Sequence, residues 1–331
     1  MTQTEYIGEG AIQKLGDAVS SFAPKKVFLV TGKASYAASG AAAAVAEALR
    51  GCAVLHYTDF GALPLQEDID KGITAYKSFG PDLVIAVGGG HVMDIAKAIN
   101  FYVGKKPLIA IPTTAGSGSE ATRFAVVYKD GRKTSLEDDG ILPTVAIVDP
   151  ALARSVPREV ALASGLDALA QAIESYWSVR ATDESREYSR RALELVWKSI
   201  IPAIEEGDVQ AIAHMAQGAH LAGKAINISK TTACHALSYG LTYRFGVPHG
   251  IAVALFLPEM LRINKTALPA PVTPEAIEHL LATLAVPRLS HWGAALADAA
   301  SLAAEVDADR LGNNPVALAP ADIVRLYTEV L

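Results

Sequence analysis

Two periodicities divide the chain. Up to about residue 150, apolar runs without alternation recur between stretches of helical period. Lys26–Thr31, Ala53–Tyr57, Leu83–Val87, Leu108–Ile111 and Val145–Val148 are the runs, and Gly40–Leu49, Glu67–Phe79 and Met93–Tyr102 are helical segments between them. A strand buried on both sides has no polar face to alternate with, so this pattern predicts a parallel sheet covered by helices on both faces. Beyond Asp149-Pro150 the pattern changes. Ala163–Val179, Ser185–Glu205, Val209–Ile226 and Thr231–Arg244 follow the helical period, and no convincing strand follows Pro157. The patternless Pro/Ala stretch Lys265–Pro274 reads as a loop. The expected fold class is α/β plus all-α: a Rossmann-like parallel-sheet domain over 1–154, then an all-helical domain over 155–331, with the linker near Pro150–Pro157.

Composition agrees with that plan and narrows the partners. A length of 331 residues suits two domains, each with its own core. With a net charge of −6 and no compensating basic run, no nucleic-acid surface is expected. Cys52 and Cys234 are the only cysteines, which predicts no disulfide framework and a reducing compartment. The opening MTQTEYIGEG has neither a basic nor an apolar leader region, so no signal peptide is expected. The alanine-rich Tyr36–Val54 is interrupted by Glu47 and Arg50 and is too polar to span a membrane. A cytoplasmic protein with no membrane partner is the expectation.

Candidate chemistry follows the strand ends. Val87-Gly88-Gly89-Gly90-His91, with Asp94 and Lys97 after it, stands between an apolar run and a helix. Glycines there let the backbone approach a diphosphate, whose charge a helix N-terminus favours, although the spacing is not G-x-G-x-x-G. Three successive glycines exceed what a tight turn needs. The loop after Ile111 carries Thr113, Thr114 and Ser117, small hydroxyls suited to phosphate, ribose or nicotinamide. In the first strand-to-helix turn Gly32 places no carboxylate against a ribose, while Lys33 and Ser35 can receive a 2′-phosphate. NADPH is therefore the expected cofactor, with NADH as the alternative.

The helical half supplies a second kind of chemistry. Asp167 and Gln171 stand at i and i+4 on a helix that looks buried, where an acid needs a partner. His235 lies in the helix opened by Thr231, with Tyr239 one turn later, and His249 sits in the turn Pro248-His249-Gly250. Each of these alone reads as an ordinary core or capping residue. Together an aspartate and two histidines match the donor set of Fe²⁺ or Zn²⁺ with an open position.

The ordered motifs GGGxxxDxAK, IPTTAGSGSE, AIVDP, GLDAL and PHG resemble the iron-containing (group III) alcohol dehydrogenase family, of dehydroquinate synthase-like architecture, over nearly the whole chain. The resemblance implies a catalytic cleft between a nucleotide-binding domain and a helical metal domain. It also implies carbonyl reduction or alcohol oxidation with NAD(P)(H) and a divalent metal, and pairing into a homodimer. Asp167, His235 and His249 match three of the family's usual ligands; Gln171 stands where the fourth is normally histidine. Tyr239 replaces a further histidine and would relay a proton or orient the substrate. His91 replaces a usual serine, and Lys133 matches a lysine that approaches the cofactor.

Ser229-Lys230-Thr231-Thr232, at an expected helix start one turn before a metal ligand, suits a dianionic substrate head, with Arg123 as a helper. Within the family this cluster resembles the phosphonoacetaldehyde reductase (hydroxyethylphosphonate dehydrogenase) branch. The expected function is metal-dependent, NADPH-linked reduction of phosphonoacetaldehyde to 2-hydroxyethylphosphonate. The alternatives are reduction of another anionic carbonyl compound, such as a maleylacetate-like keto acid, and a dehydroquinate synthase-like lyase.

Overall fold

In the computed structural model, residues 3–129, 132–269 and 271–331 are described. Eight strands occupy the first half: β1 (Thr4–Ile7), β2 (Lys26–Thr31), β3 (Ala53–Tyr57), β4 (Leu83–Gly88), β5 (Leu108–Pro112), β6 (Phe124–Lys129), β7 (Arg132–Glu137) and β8 (Val145–Val148). Six form one parallel sheet in the order β1-β8-β5-β4-β2-β3. The five expected runs are strands; the β-branched residues of β2, β4, β5 and β8 suit a pleated surface covered on both sides, while β3 is a partly exposed edge. Every residue of β4 and β5 is buried.

Helices α1 (Leu15–Phe22), α2 (Lys33–Ala38), α3 (Ala41–Ala48), α4 (Gln66–Phe79) and α5 (Gly90–Val103) cover the sheet. They leave one apolar core on each face, around Leu29 and Ile85 on one side and Phe28 and Ile99 on the other. The chain leaves β2 for β3 on one flank and then returns to β4 on the other. The strand order thus reverses between β2 and β4, and a crevice opens beyond their C-terminal ends.

Two features differ from the sequence reading. β1 is a four-residue edge strand in register with β8, from Thr4 opposite Val145 to Ile7 opposite Val148; its pattern is too short and too polar to register as a strand. β6 and β7 form an antiparallel hairpin, although no strand was expected between Ile111 and Val145. β6 buries Ala125, Val127 and Tyr128, whereas β7, RKTSLE, is mostly polar and carries no apolar alternation.

After β8 no strand occurs among the described residues. The helices are α6 (Arg158–Trp177), α7 (Asp183–Ile201), α8 (Val209–Ser229), α9 (Ala233–Phe245), α10 (His249–Ala254), α11 (Leu257–Asn264), α12 (Pro274–Thr283), α13 (Ala299–Ala304), α14 (Ala308–Leu311) and α15 (Pro320–Val330). The stretch from Lys265 to Thr273, of which Ala270 lies outside the described residues, is a loop as expected. Helix α6 is the axis of this half, packed against α7, α8 and α10. None of the described helices is long and apolar enough to cross a membrane.

The halves touch where side chains are missing. Gly118, at φ +59°, brings its backbone so close to α8 that a Cβ there would stand 2.7 Å from both the Ala219 carbonyl and Gly223 Cα. The loop after β5 therefore lies directly on a helix of the other half. Beside this contact is a cluster of charges. His220 Nδ1 is 3.0 Å from Glu120 Oε1 and its Nε2 is 3.5 Å from Glu5 Oε2, while Lys224 donates to Glu5 Oε1 at 2.7 Å. The cluster ties β1 and the β5 loop to α8. Lys97, fully buried, secures the same loop by donating to Ser119, Thr122 and Phe124 oxygens.

Candidate active site

Every residue of α6 from Gly165 to Ser175 is buried, and three of them are Asp167, Gln171 and Glu174. Spacings of four and three put them on one helical face. A central helix without a solvent side tolerates such groups only if something answers them.

Glu174 is answered by α9. Its carboxylate accepts the Thr232 hydroxyl at 2.7 Å and the backbone N–H groups of Thr232 and Cys234 at 3.1 and 2.8 Å. The free amides of a helix N-terminus thus converge on a buried acid. Glu174 Oε2 also takes His235 Nδ1 in a short contact. This fixes the imidazole so that Nε2 faces Asp167 Oδ1 at 3.3 Å. Burial raises the Glu174 carboxyl, yet His235 and these donors outweigh it and hold it below the ordinary value. Burial likewise disfavours His235 as a cation, and Glu174 and Asp167 reverse that, raising its pKa. A carboxylate behind a histidine is the arrangement that orients a metal-binding imidazole.

His249 comes from the N-terminus of α10. A Cβ at Gly250 would fall 1.8 Å from the Ala163 carbonyl, so only glycine lets α10 press against α6. That approach carries His249 to Asp167. The His235 and His249 rings lie 5.3 Å apart, and one ligand atom from each of Asp167, His235 and His249 falls within 4.8 Å of the others. Burial and the nearby Lys133 ammonium push His249 down to about 3, which keeps its imidazole neutral.

Two buried oxygens test whether a cation fits. Asp167 Oδ1 and Gln171 Oε1 make no hydrogen bond among the described residues. The Gln171 amide is anchored through its nitrogen, which donates to the Ser117 carbonyl at 3.0 Å, and its oxygen is left over. Unpartnered buried oxygens beside two imidazoles, one of them neutral, suit a divalent metal of the Fe²⁺ or Zn²⁺ kind. Asp167, His235 and His249 would hold it, with Gln171 alongside.

Two cavities meet at this cluster. A groove of about 460 Å³ runs over the C-terminal ends of the sheet and is lined by Ser35, Gly89, Gly90, His91, Thr113, Thr114 and Ser117, as a dinucleotide site would be. Gly32 and Lys33 do not line it: Gly32 precedes the first turn of α2, and Lys33 is exposed on that turn. A Cβ at Gly90 would come 2.9 Å from Ser117 Cβ, between two residues that line the groove. A larger cavity of about 640 Å³ lies on the far side of the metal cluster, between the β6–β7 hairpin and α8, α9 and α14. Gly90, His91, Ser117, Asp167 and His249 line both.

Asp94 and Lys133, expected at the cofactor, line the larger cavity and not the groove. Burial raises Asp94 to about 6 and lowers Lys133 to about 7. Tyr239 also lines this cavity: Lys133 Nζ stands 3.4 Å from its ring centroid, and the ring lies 6.2 Å from that of His249. Burial pushes the Tyr239 phenol up to about 12, so its hydroxyl keeps its proton at neutral pH.

The expected substrate cluster divides. Ser229 is the last residue of α8, not the start of a helix; it is fully buried and bonds Ser175 and the Ala225 carbonyl. Thr232 is fully buried between Glu174 and the Trp177 indole, which donates to it at 2.8 Å. Neither reaches a cavity, because the corner between α8 and α9 turns them inward. Lys230, at φ +62°, and Thr231 do line the larger cavity, but the Lys230 ammonium is bonded to Glu137. Arg123 lies outside the cavity lining and pairs with the same Glu137 and with Asp139.

Three contributors escaped the sequence reading. Glu174 was visible as a third polar residue on the Asp167 face. The hairpin wall had only the apolar run FAVVY to announce it. Arg310, also lining the larger cavity, lies in a helical segment with no motif around it.

Comparisons with known proteins agree with this geometry. Residues 3–150 match the family model described as iron-containing alcohol dehydrogenase, and residues 161–314 match its C-terminal counterpart. The chain is 35% identical over 279 residues to long-chain-alcohol dehydrogenase 1 of Geobacillus thermodenitrificans, covering 77% of this chain and 70% of that protein. It is 35% identical over 231 residues to aldehyde-alcohol dehydrogenase 2 of Entamoeba histolytica, where the match covers 61% of this chain but spans only 26% of the relative's length. Among solved structures, sulfoacetaldehyde reductase from Bifidobacterium kashiwanohense in complex with NAD⁺ superimposes with a TM-score of 0.89 at 29% identity, covering 99% of this chain and 96% of that one. With both halves matched and an Asp–His–His cluster between two cavities, this chain belongs to the iron-containing alcohol dehydrogenase family.

Proposed function

We propose that this protein reduces a small anionic aldehyde to an alcohol in a reaction dependent on NADPH and a divalent metal, with phosphonoacetaldehyde as the substrate and 2-hydroxyethylphosphonate as the product. The observation that carries the proposal is the junction of the two cavities at Asp167 and His249. A ligand in the groove and one in the larger cavity would meet there, beside the His235 imidazole that completes the cluster.

When bound, Fe²⁺ or Zn²⁺ would supply Lewis-acid polarisation of the carbonyl, and the nicotinamide would supply the hydride. The chain's own part is placement and protons. Glu174 fixes the His235 tautomer, and the Ser117 carbonyl holds the Gln171 amide. Phe124, Val126, Ile226 and Val247 keep the larger cavity apolar, which strengthens every charge interaction inside it. Tyr239 Oη keeps its proton at neutral pH and stands beside His249, so it can give that proton to the alkoxide oxygen as the carbonyl is reduced.

NADPH is preferred in this reading because no carboxylate occupies the turn Thr31–Ser35, while Ser35 lines the groove and Lys33 is free to approach it. The sulfoacetaldehyde reductase named among the similar structures supports an anionic aldehyde as the substrate class.

The test is NADPH and NADH oxidation with phosphonoacetaldehyde, sulfoacetaldehyde, maleylacetate and propionaldehyde, with and without added Fe²⁺ or Zn²⁺. The expected result is the highest kcat/KM with phosphonoacetaldehyde and NADPH, lost on chelation. Faster turnover of propionaldehyde would refute the anionic substrate. A dehydroquinate synthase-like lyase would show no net cofactor oxidation with any of them.

A further inference from the structure

The cations around the larger cavity differ in what they face. Lys230 is neutralised by Glu137, which also holds Arg123. Lys133 and Arg310 form no ion pair among the described residues. Arg310 approaches Ser135 Oγ at 3.5 Å and lies 5.5 Å from the Phe124 ring centroid; Lys133 rests over the Tyr239 ring. Both line the same cavity and repel each other: after burial, Arg310 is the largest force holding the Lys133 amine below its usual value. Asp94, Asp167 and Asp307 attract Lys133 only from beyond ion-pair distance, so an anion between the two cations relieves both desolvation and repulsion. The guanidinium offers a planar fork of N–H donors that matches an oxyanion, and Lys133 adds a point charge.

The position fits a short substrate. Lys133 Nζ is 3.4 Å from the Tyr239 ring, and that ring is 6.2 Å from His249. The Tyr239 ring thus lies between Lys133 and His249 of the metal cluster. An oxyanion there shares the cavity with Asp167 and His249, so one substrate can touch both ends.

We propose that Lys133 and Arg310, with the Ser135 hydroxyl, form the receptor for a tetrahedral oxyanion on the substrate. The substrate class is then set by the β6–β7 hairpin and α14, and not by the Ser229–Thr232 corner. This rests on the aldehyde-reductase reading above. It assigns Lys133 to the substrate rather than to the cofactor, and it gives Arg310 a specificity role.

The experiment compares kcat/KM for sulfoacetaldehyde, phosphonoacetaldehyde and propionaldehyde in metal-loaded wild type, Arg310→Met, Arg310→Lys and Lys230→Met. Losing a charge-assisted contact predicts that Arg310→Met lowers the anionic-to-neutral ratio about 10- to 100-fold, mainly through KM. Arg310→Lys should recover part of it, and Lys230→Met should cost less than Arg310→Met. Quenching of NADPH fluorescence on binding checks that each variant keeps its cofactor groove. If wild type prefers an anionic aldehyde and a cofactor-binding Arg310→Met keeps that preference, the receptor is overturned while the reductase reading stands. If wild type shows no anionic preference, the anionic-aldehyde reading fails. Ethylphosphonate binding then decides the receptor alone: equal affinity for wild type and Arg310→Met overturns it too. Preference for sulfoacetaldehyde over phosphonoacetaldehyde supports the receptor and identifies the anion as a sulfonate.

Discussion

Helix α8 borders two clusters of charge resolved in opposite ways. Near its middle, His220 and Lys224 meet Glu5 and Glu120, and each charged side chain has an opposite charge within 3.5 Å. Past its C-terminal end, in the larger cavity, Lys133 and Arg310 form no ion pair within 4.0 Å among the described residues, with Asp94, Asp167 and Asp307 acting on Lys133 only from longer range, and Gln171 Oε1 has no hydrogen bond. The two clusters differ in how their cations are paired. A folded chain keeps its buried polar groups paired where they serve only the fold, so unanswered ones mark where something else is to bind. The difference predicts that substitutions in the first cluster change stability and those in the second change chemistry.

The largest effect expected is at Asp167. Asp167→Ala removes the one anionic donor of the metal cluster, and loss of several kcal/mol of carbonyl polarisation lowers kcat/KM about 1,000-fold or more. Metal analysis of the purified variant should show substoichiometric metal while circular dichroism remains that of a folded protein. A variant that keeps metal and loses its fold would place Asp167 with the structural cluster and break the comparison.

How much of this was legible in sequence depends on whether a role is local. β2, β4, β5 and β8 were legible because each is covered on both faces and so almost wholly apolar, and the edge strand β3 because it keeps a short apolar run. Asp167, His235 and His249 were legible as residues out of place in apolar surroundings. β1 was not, since four residues at a sheet edge need only a neighbour, here β8, and not a pattern. Ser229 and Thr232 read as substrate ligands because a cluster of hydroxyls looks the same facing a cavity or facing inward. Their direction is fixed from afar, by Glu174, Trp177 and the Asn313 amide, which donates to the Ser229 and Thr231 carbonyls. Arg310 was hidden for the same reason: its value lies in standing against a hairpin about 175 residues earlier.

The next effect is on stability and its pH dependence. Burial lowers the His220 pKa, but Glu120 and Glu5 overcome this and raise it to about 9; burial raises Glu5 less than His220 and Lys224 lower it, to about 2. For His220 the folded value exceeds the ordinary 6.5, so its stabilisation is complete below pH 6.5, declines toward pH 9 and is absent above it. For Glu5 the folded value lies below 4.5, so its stabilisation is complete above pH 4.5 and is lost toward pH 2. His220→Gln should therefore cost about 3 kcal/mol at pH 6 and far less at pH 9.5, measured by urea unfolding with chelator present. Equal losses at both pH values would make His220 a packing residue and the cluster no clasp.

The smallest effect has the opposite sign and is the sharpest test of the comparison. Lys133 faces Arg310 from α14, with Asp94, Asp167 and Asp307 acting at longer range, and burial with Arg310 repulsion brings its amine down to about 7. A base whose folded pKa lies below its unfolded value of 10.5 destabilises the fold as a cation. That penalty is complete below pH 7, shrinks as pH rises and is gone by about 10.5. Lys133→Met keeps the length of the side chain without the charge, so it should stabilise the ligand-free protein by about 0.5–2 kcal/mol at pH 7 and by less at pH 10. The slope runs against that of His220 over the same range, which separates the clusters in one pair of titrations. Ethylphosphonate should then narrow or reverse the order at pH 7, raising the unfolding midpoint of wild type more than that of Lys133→Met, because the variant keeps only the Arg310 guanidinium for the anion to neutralise. A Lys133→Met protein less stable than wild type without ligand would mean that Lys133 already has its partner in the Tyr239 ring, and the cavity would lose its claim to an unanswered charge.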